Sequence, residues 1–138
     1  MADEPHRLAM RPLSPFITIF RWPITMATSI VHRMTGVGLA GGMLLLTWWL
    51  VAAASGPETY NGFVTLMSTP LGQIVLFGFA WSLAYHTLNG IRHLAWDLGY
   101  GFAVPTADKT GIAVFVLSFV LAVAGFVVAW TGHGGYYA

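Results

Sequence analysis

Three stretches of this chain are apolar for long enough to cross a bilayer, which takes roughly 20 residues of helix. They are 29–54 (SIVHRMTGVGLAGGMLLLTWWLVAAA), 71–94 (LGQIVLFGFAWSLAYHTLNGIRHL) and 111–130 (GIAVFVLSFVLAVAGFVVAW). Two short connections separate them. The first, SGPETYNGFVTLMSTP, has turn formers at both ends, and Pro70 is placed to open the second helix. The second, DLGYGFAVPTADKT, carries Gly99, Gly101 and Pro105 and reads as a turn at the membrane surface. Upstream, RPLSPFITIFRWPITMAT cannot run as one helix through Pro12, Pro15 and Pro23, so an ordered segment lying along the membrane surface is expected. The pattern predicts an all-α integral membrane protein. It has a cytoplasmic or interfacial segment (1–28), a three-helix anchor domain (29–130) and a periplasmic tail (131–138).

Charge sets the expected orientation. Arg7, Arg11, Arg21 and Arg33 precede or open the first span, and Arg92 and Lys109 flank the second connection. All six basic residues then fall on one side of a three-span protein, which puts the N-terminus in the cytoplasm. Trp22, Trp96 and Tyr100 suit the inner interface, and Trp48, Trp49, Tyr60 and Trp130 the outer one. Trp81 falls mid-span and reads as a packing residue or a neighbour to something flat. Composition adds exclusions. Hydrophobic residues make up 57% of the chain and charged ones 8%; a soluble domain of this length cannot hide so much apolar surface, so membrane lipid is expected to cover it. The near-balanced charge offers no basic patch, and no nucleic-acid partner is expected. The absence of cysteine removes thiolate metal sites and cysteine nucleophiles, so any iron would need histidine. The N-terminus lacks the features of a secretory signal or a transit peptide, and a bacterial inner membrane is expected rather than a mitochondrial one.

Polar chemistry concentrates in two places. At about 100° per residue, Ser82, His86, Gly90 and His93 share one stripe of the second helix, with the two histidines about 10 Å apart along the axis. His86 lies within the hydrocarbon and His93 near its edge. A neutral imidazole there can coordinate haem iron, Gly90 would leave room for the flat ring, and His93 sits where anionic propionates would reach water. Arg92 is at the same depth but off the stripe. The plainer alternative is that His86 hydrogen-bonds a neighbouring helix, that Gly90 permits close packing, and that Arg92, His93 and Asp97 are interfacial. On the first helix, Ser29, His32, Arg33 and Gly36 share a face at the same end. Ser29 and Arg33 could grip a quinone carbonyl; His32 could meet a propionate or carry a proton. Equally, Arg33 could anchor the span and Ser29 cap it. Gly38 and Gly42 form a small-xxx-small pair that reads as helix packing.

The segments RPLSPF, FRWPITMATSIVHRMTG and AYHTLNGIRHLAWDLGY, followed by one more span, resemble the cytochrome b membrane-anchor subunit (the larger, C-type anchor) of succinate dehydrogenase, respiratory complex II. The resemblance runs from about Arg11 to Trp130 and implies a three-helix anchor paired with a second three-helix anchor. That pair carries an iron–sulfur subunit and a flavoprotein subunit and passes electrons from succinate to ubiquinone. It implies haem b shared between the anchors, with His86 as axial ligand. Ser29 and Arg33 would line the quinone pocket; His32, Arg33, Gly90 and His93 would lie against the haem or its propionates; the second axial histidine would come from the other anchor. Phe16 and Phe20 stand where many relatives carry histidine and tyrosine. Two other readings remain open from sequence: a small membrane subunit of a proton-coupled transporter, and a haem-free structural anchor.

Overall fold

The computed structural model of the chain describes residues 14–132; Arg7, Arg11, Pro12 and most of the tail read above as periplasmic lie outside them. The described residues form five helices: α1 (Phe16–Ile19), α2 (Ile24–Ser55), α3 (Pro57–Met67), α4 (Pro70–Asp97) and α5 (Val104–Gly132). Three of them, α2, α4 and α5, are long and apolar enough to cross a membrane. Proline punctuates the starts. Pro23 is the N-cap of α2, Pro57 and Pro70 sit in the first turns of α3 and α4, and Pro105 sits in the first turn of α5. In each case the missing N–H is one that a helix start leaves unpaired anyway.

The spanning helices run past the apolar cores that suggested them. At about 1.5 Å per residue, the 32, 28 and 29 residues of α2, α4 and α5 extend about 48, 42 and 44 Å, beyond the roughly 30 Å of hydrocarbon. Nothing between Pro23 and Ser29, or between Pro105 and Gly111, stops the helix, so it continues into the polar flank. The first connection is also helical. Gly56, at φ 113°, turns the chain in the left-handed region, and α3 follows at once. Its Tyr60, Phe63, Val64 and Met67 recur at helical spacing and roof a cavity of about 290 Å³ over Trp49, Gln73 and Phe79.

Helix α4 packs against α2, α3 and α5. The residues that meet there are small or polar and recur near every seventh position. They are Thr28, Thr35 and Gly42 on α2; Ser82, Tyr85, Asn89 and Arg92 on α4; and Ala107, Gly111, Val114, Ser118 and Ala122 on α5. Helices in lipid gain little from burying leucine, so close backbone approach and interhelical hydrogen bonds hold them together. Gly42 lies so near the Phe79 ring that a Cβ would overlap it, and a Cβ at Gly38 would meet Ser82 Oγ at 3.0 Å. The small-xxx-small pair therefore packs within the chain, against α4.

A single rule governs the polar seam. Thr28, Thr35, Thr110 and Ser118 each donate their one hydroxyl proton to the carbonyl three residues back, at 2.9, 2.9, 3.1 and 3.0 Å. Each oxygen then has only lone pairs left, so its partner must be a donor. Three α4 side chains answer: Arg92 meets Thr28 and Thr110, His86 meets Thr35, and Trp81 Nε1 donates to Ser118 Oγ at 3.2 Å. The mid-span Trp81 is thus a packing residue, and the one polar residue of the 111–130 apolar stretch, Ser118, is its acceptor. Outward, the three helices present apolar side chains such as Val37, Leu44, Ile74, Val116 and Val128. That surface needs lipid or another membrane protein against it.

Candidate functional site: an imidazole cluster at the basic end of the bundle

His86 reaches across from α4 to α2, where the His32 ring stacks on it with centroids 3.9 Å apart and planes 19° apart. His93, two turns along α4, brings a third imidazole to 5.5 Å from His32 and sits edge-on to Trp96 at 5.0 Å. The 7-residue spacing of His86 and His93 sets them on one side of α4, and His32 fills the gap between them from α2. Gly36 of α2 lies under the His86 ring. A Cβ there would lie 3.4 Å from His86 Cε1.

The state of His86 follows from Thr35. Thr35 Oγ1 lies 3.4 Å from His86 Nδ1, and its proton is already given to the His32 carbonyl. With that proton engaged, Nδ1 is the nitrogen that donates, and in the neutral ring Nε2 keeps its lone pair. This is the tautomer that a metal-ligating imidazole needs, with its other nitrogen hydrogen-bonded behind it. Among the described residues no group of three or more His, Asp or Glu gathers around a common point, so they do not form a three-ligand metal site with His86. Next to it, His32 Nε2 is buried with no hydrogen-bond partner among the described residues, an unpaired polar atom that calls for a partner beyond them.

The remaining sequence-derived residues divide cleanly. Gly90 lies half-buried on the His86 stripe, and beyond its own helix backbone and chain neighbours no described residue comes within 4 Å of a Cβ built on it. The space beside it is open, and the chain's own packing does not need a glycine there. Ser29, Arg33 and His93 are exposed on the outer surface at the same end. Ser82 is buried between α4 and Gly38, and so leaves the outward-facing stripe. Arg92, considered above as an interfacial or propionate-depth charge, is 7% exposed and turned into the bundle. There Nε donates to Thr110 Oγ1 (3.0 Å), Nη1 to Thr28 Oγ1 and Asn89 Oδ1 (3.3 Å each), and Nη2 to the Ala107 carbonyl (2.7 Å). Its Cζ lies 4.1 Å from the Trp96 ring centroid. The inward turn follows from position: Arg92 shares the heptad seam of Tyr85 and Asn89, one residue before the outward-facing His93.

Sequence reasoning missed Thr35, the residue behind His86. The signal available was register, since Thr28, Thr35 and Gly42 repeat every seven residues along α2. Phe16 and Phe20, the two departures from the family pattern, are exposed on and beside α1.

Comparison with known proteins bears on the whole of this arrangement. The chain matches the family model described as succinate dehydrogenase/fumarate reductase transmembrane subunit over residues 7–125. It is 43% identical, over 86% of its length and 91% of the relative's, to the succinate dehydrogenase cytochrome b556 subunit of Paracoccus denitrificans. It is 42% identical to the subunit of the same name from Rickettsia prowazekii, over 80% of this chain and 86% of that one. Identity is also 42% to the mitochondrial cytochrome b560 subunit of Sus scrofa, over 78% of this chain and 65% of that protein. Carrying three membrane-length helices and these likenesses, the chain belongs to the family of transmembrane subunits of succinate dehydrogenase and fumarate reductase.

Proposed function

We propose that this chain is the cytochrome b membrane anchor of a succinate:quinone oxidoreductase. It would hold haem b jointly with a second three-helix anchor and form part of the site where ubiquinone is reduced. The single observation that carries this reading is the 3.4 Å contact of His86 Nδ1 with Thr35 Oγ1, which in the neutral ring leaves Nε2 free to bind iron, on the same helix stripe as the uncrowded Gly90. The fit extends to the surroundings. The open face at Gly90 suits a flat macrocycle, and the orphaned Nε2 of His32 suits an anionic propionate. When bound, haem supplies a one-electron store close to the quinone. His86 would be its axial ligand, and His32, Arg33 and His93 would meet its edge.

The chain's own part in quinone reduction falls to Ser29 and Arg33. They are exposed at the same end of α2, one turn apart, and unencumbered by the intrachain seam. The Ser29 hydroxyl can donate to one quinone carbonyl. The Arg33 guanidinium, charged throughout, stabilises the negative charge that gathers on that oxygen as electrons arrive. Protons then come from the basic, wet end of the bundle. Succinate oxidation itself belongs to the flavoprotein, with the iron–sulfur subunit as conductor between it and the membrane. The distribution of basic residues favours the cytoplasmic side of a bacterial inner membrane for both partners.

Two substitutions test this in the purified complex. His86→Ala is expected to abolish or reshape the b-type band in a reduced-minus-oxidised spectrum. Arg33→Ala is expected to collapse quinone reductase activity and leave succinate oxidation by a soluble artificial acceptor intact. An unaltered b-type band in His86→Ala, or full quinone reduction in Arg33→Ala, refutes the respective assignment.

A further inference from the structure

The buried polar cluster around Arg92 makes no hydrogen bond to Ser29 or the imidazoles, although the Trp96 ring contacts both Arg92 and His93, and its members sit directly beside them in sequence. Thr28 precedes Ser29, Tyr85 precedes His86, and Arg92 precedes His93. One residue on a helix is a turn of about 100°, so each inward side chain sets the direction of the outward one after it. The cluster also spans all three long helices. Two donors from α4 converge on Thr28 of α2: Tyr85 Oη donates to its carbonyl at 3.1 Å and Arg92 Nη1 to its hydroxyl at 3.3 Å. Arg92 Nε and Nη2 continue to Thr110 and the Ala107 carbonyl of α5. The partners that Arg92 finds are neutral oxygens in three directions, an arrangement that suits a planar fork and not a point charge.

We propose that Arg92 is a positioning residue. It locks the rotational phase of α2 and α4, and thereby aims Ser29 and Arg33 at the quinone and His86 at the haem. The inference rests on the site reading given under the proposed function. The leverage is large. A helix with side chains has a radius of roughly 6 Å, so a rotation of about 10° carries a side-chain tip by about 1 Å. A misplacement of about 1 Å in a reacting geometry can cost on the order of 100-fold. A rotation of α2 or α4 on that scale strains both bonds to Thr28. The glycine at Gly111 keeps the meeting point tight: a Cβ there would stand 3.1 Å from both Ile24 Cγ2 and Thr28 Cγ2.

The test uses the assembled complex carrying Arg92→Met, Arg92→Lys or Thr110→Val, with Arg33→Ala in parallel. Arg92→Met is expected to keep succinate oxidation with a soluble acceptor, raise the quinone KM by about 10-fold or more, and move the haem midpoint potential. Arg92→Lys restores the charge without the fork and is expected to leave the KM raised. Full recovery of KM and potential in Arg92→Lys overturns the proposal in favour of a bare charge effect. Unchanged KM and potential in Arg92→Met overturn it outright. If Arg92 variants do not assemble, Thr110→Val decides, since it takes from Arg92 a single acceptor and otherwise only a local bond to the Ala107 carbonyl: a smaller shift of the same kind supports the proposal and no shift overturns it. Should the unsubstituted complex lack haem and Arg33→Ala leave quinone reduction intact, the site reading fails instead.

Discussion

Thr35→Val is the most direct probe of how the chain prepares His86. Valine keeps the shape of threonine and removes only Oγ1, so α2 should pack as before. The ring loses the acceptor that holds its Nδ1–H, 3.4 Å away. A hydrogen bond of that length belongs at the weak end of the range, about 0.5 kcal/mol. Leaving the N–H half-buried and unpaired raises the cost toward about 1.5 kcal/mol. At about 1.4 kcal/mol per decade, that is roughly a 2- to 10-fold change in an equilibrium. For a one-electron couple, tenfold is about 59 mV, so the expected shift is about 20–60 mV. The sign follows from the ligand. An imidazole whose Nδ1–H is hydrogen-bonded is the more basic donor and favours ferric iron; without Thr35 the ferric state is less stabilised and the midpoint potential rises. Potentiometric titration of the b-type band in the purified complex measures this, with Thr35→Ser expected to stay close to the unsubstituted value. A midpoint in Thr35→Val that is unchanged or lower, in a complex whose band depends on His86, would refute the tautomer argument.

Two further outcomes follow from the packing. Gly90→Leu fills space that is empty in this chain and removes a helix penalty of roughly 0.8 kcal/mol. The anchor should still fold and insert, while haem content measured by pyridine haemochromogen falls sharply; normal haem content would show that the ring does not pass there. Ser118→Val strands the Trp81 N–H inside the bundle, where interhelical hydrogen bonds average about 0.6 kcal/mol and reach about 1.7. Unfolding in detergent should show a loss within that range and Ser118→Thr a smaller one, and an unchanged transition would mean that the Trp81–Ser118 bond adds nothing.

The sequence by itself determined the three spans, because apolar length is a one-dimensional property that a bilayer reads directly. It also determined that His86, Gly90 and His93 share a side of one helix, because a 3.6-residue period needs no knowledge of neighbours. The proline stops were equally local: Pro15 and Pro23 bracket α1 and open α2 through their own ring geometry. In the first connection the turn formers at both ends were legible, but not the eleven-residue helix that they bound, because its apolar face has meaning only under α2 and α4. Only tertiary structure decided which way each polar residue turned. Arg92 and His93 are neighbours with similar chemistry on paper. One is buried among three helices and the other faces outward, because Thr28, Asn89 and Thr110 stand on one side of α4 and not on the other. Likewise, the pairing of Thr35 with His86 joins residues 51 positions apart. It exists only after two helices have met in one rotational phase, and a hydroxyl that has already given away its proton can then dictate which nitrogen of the ring stays free.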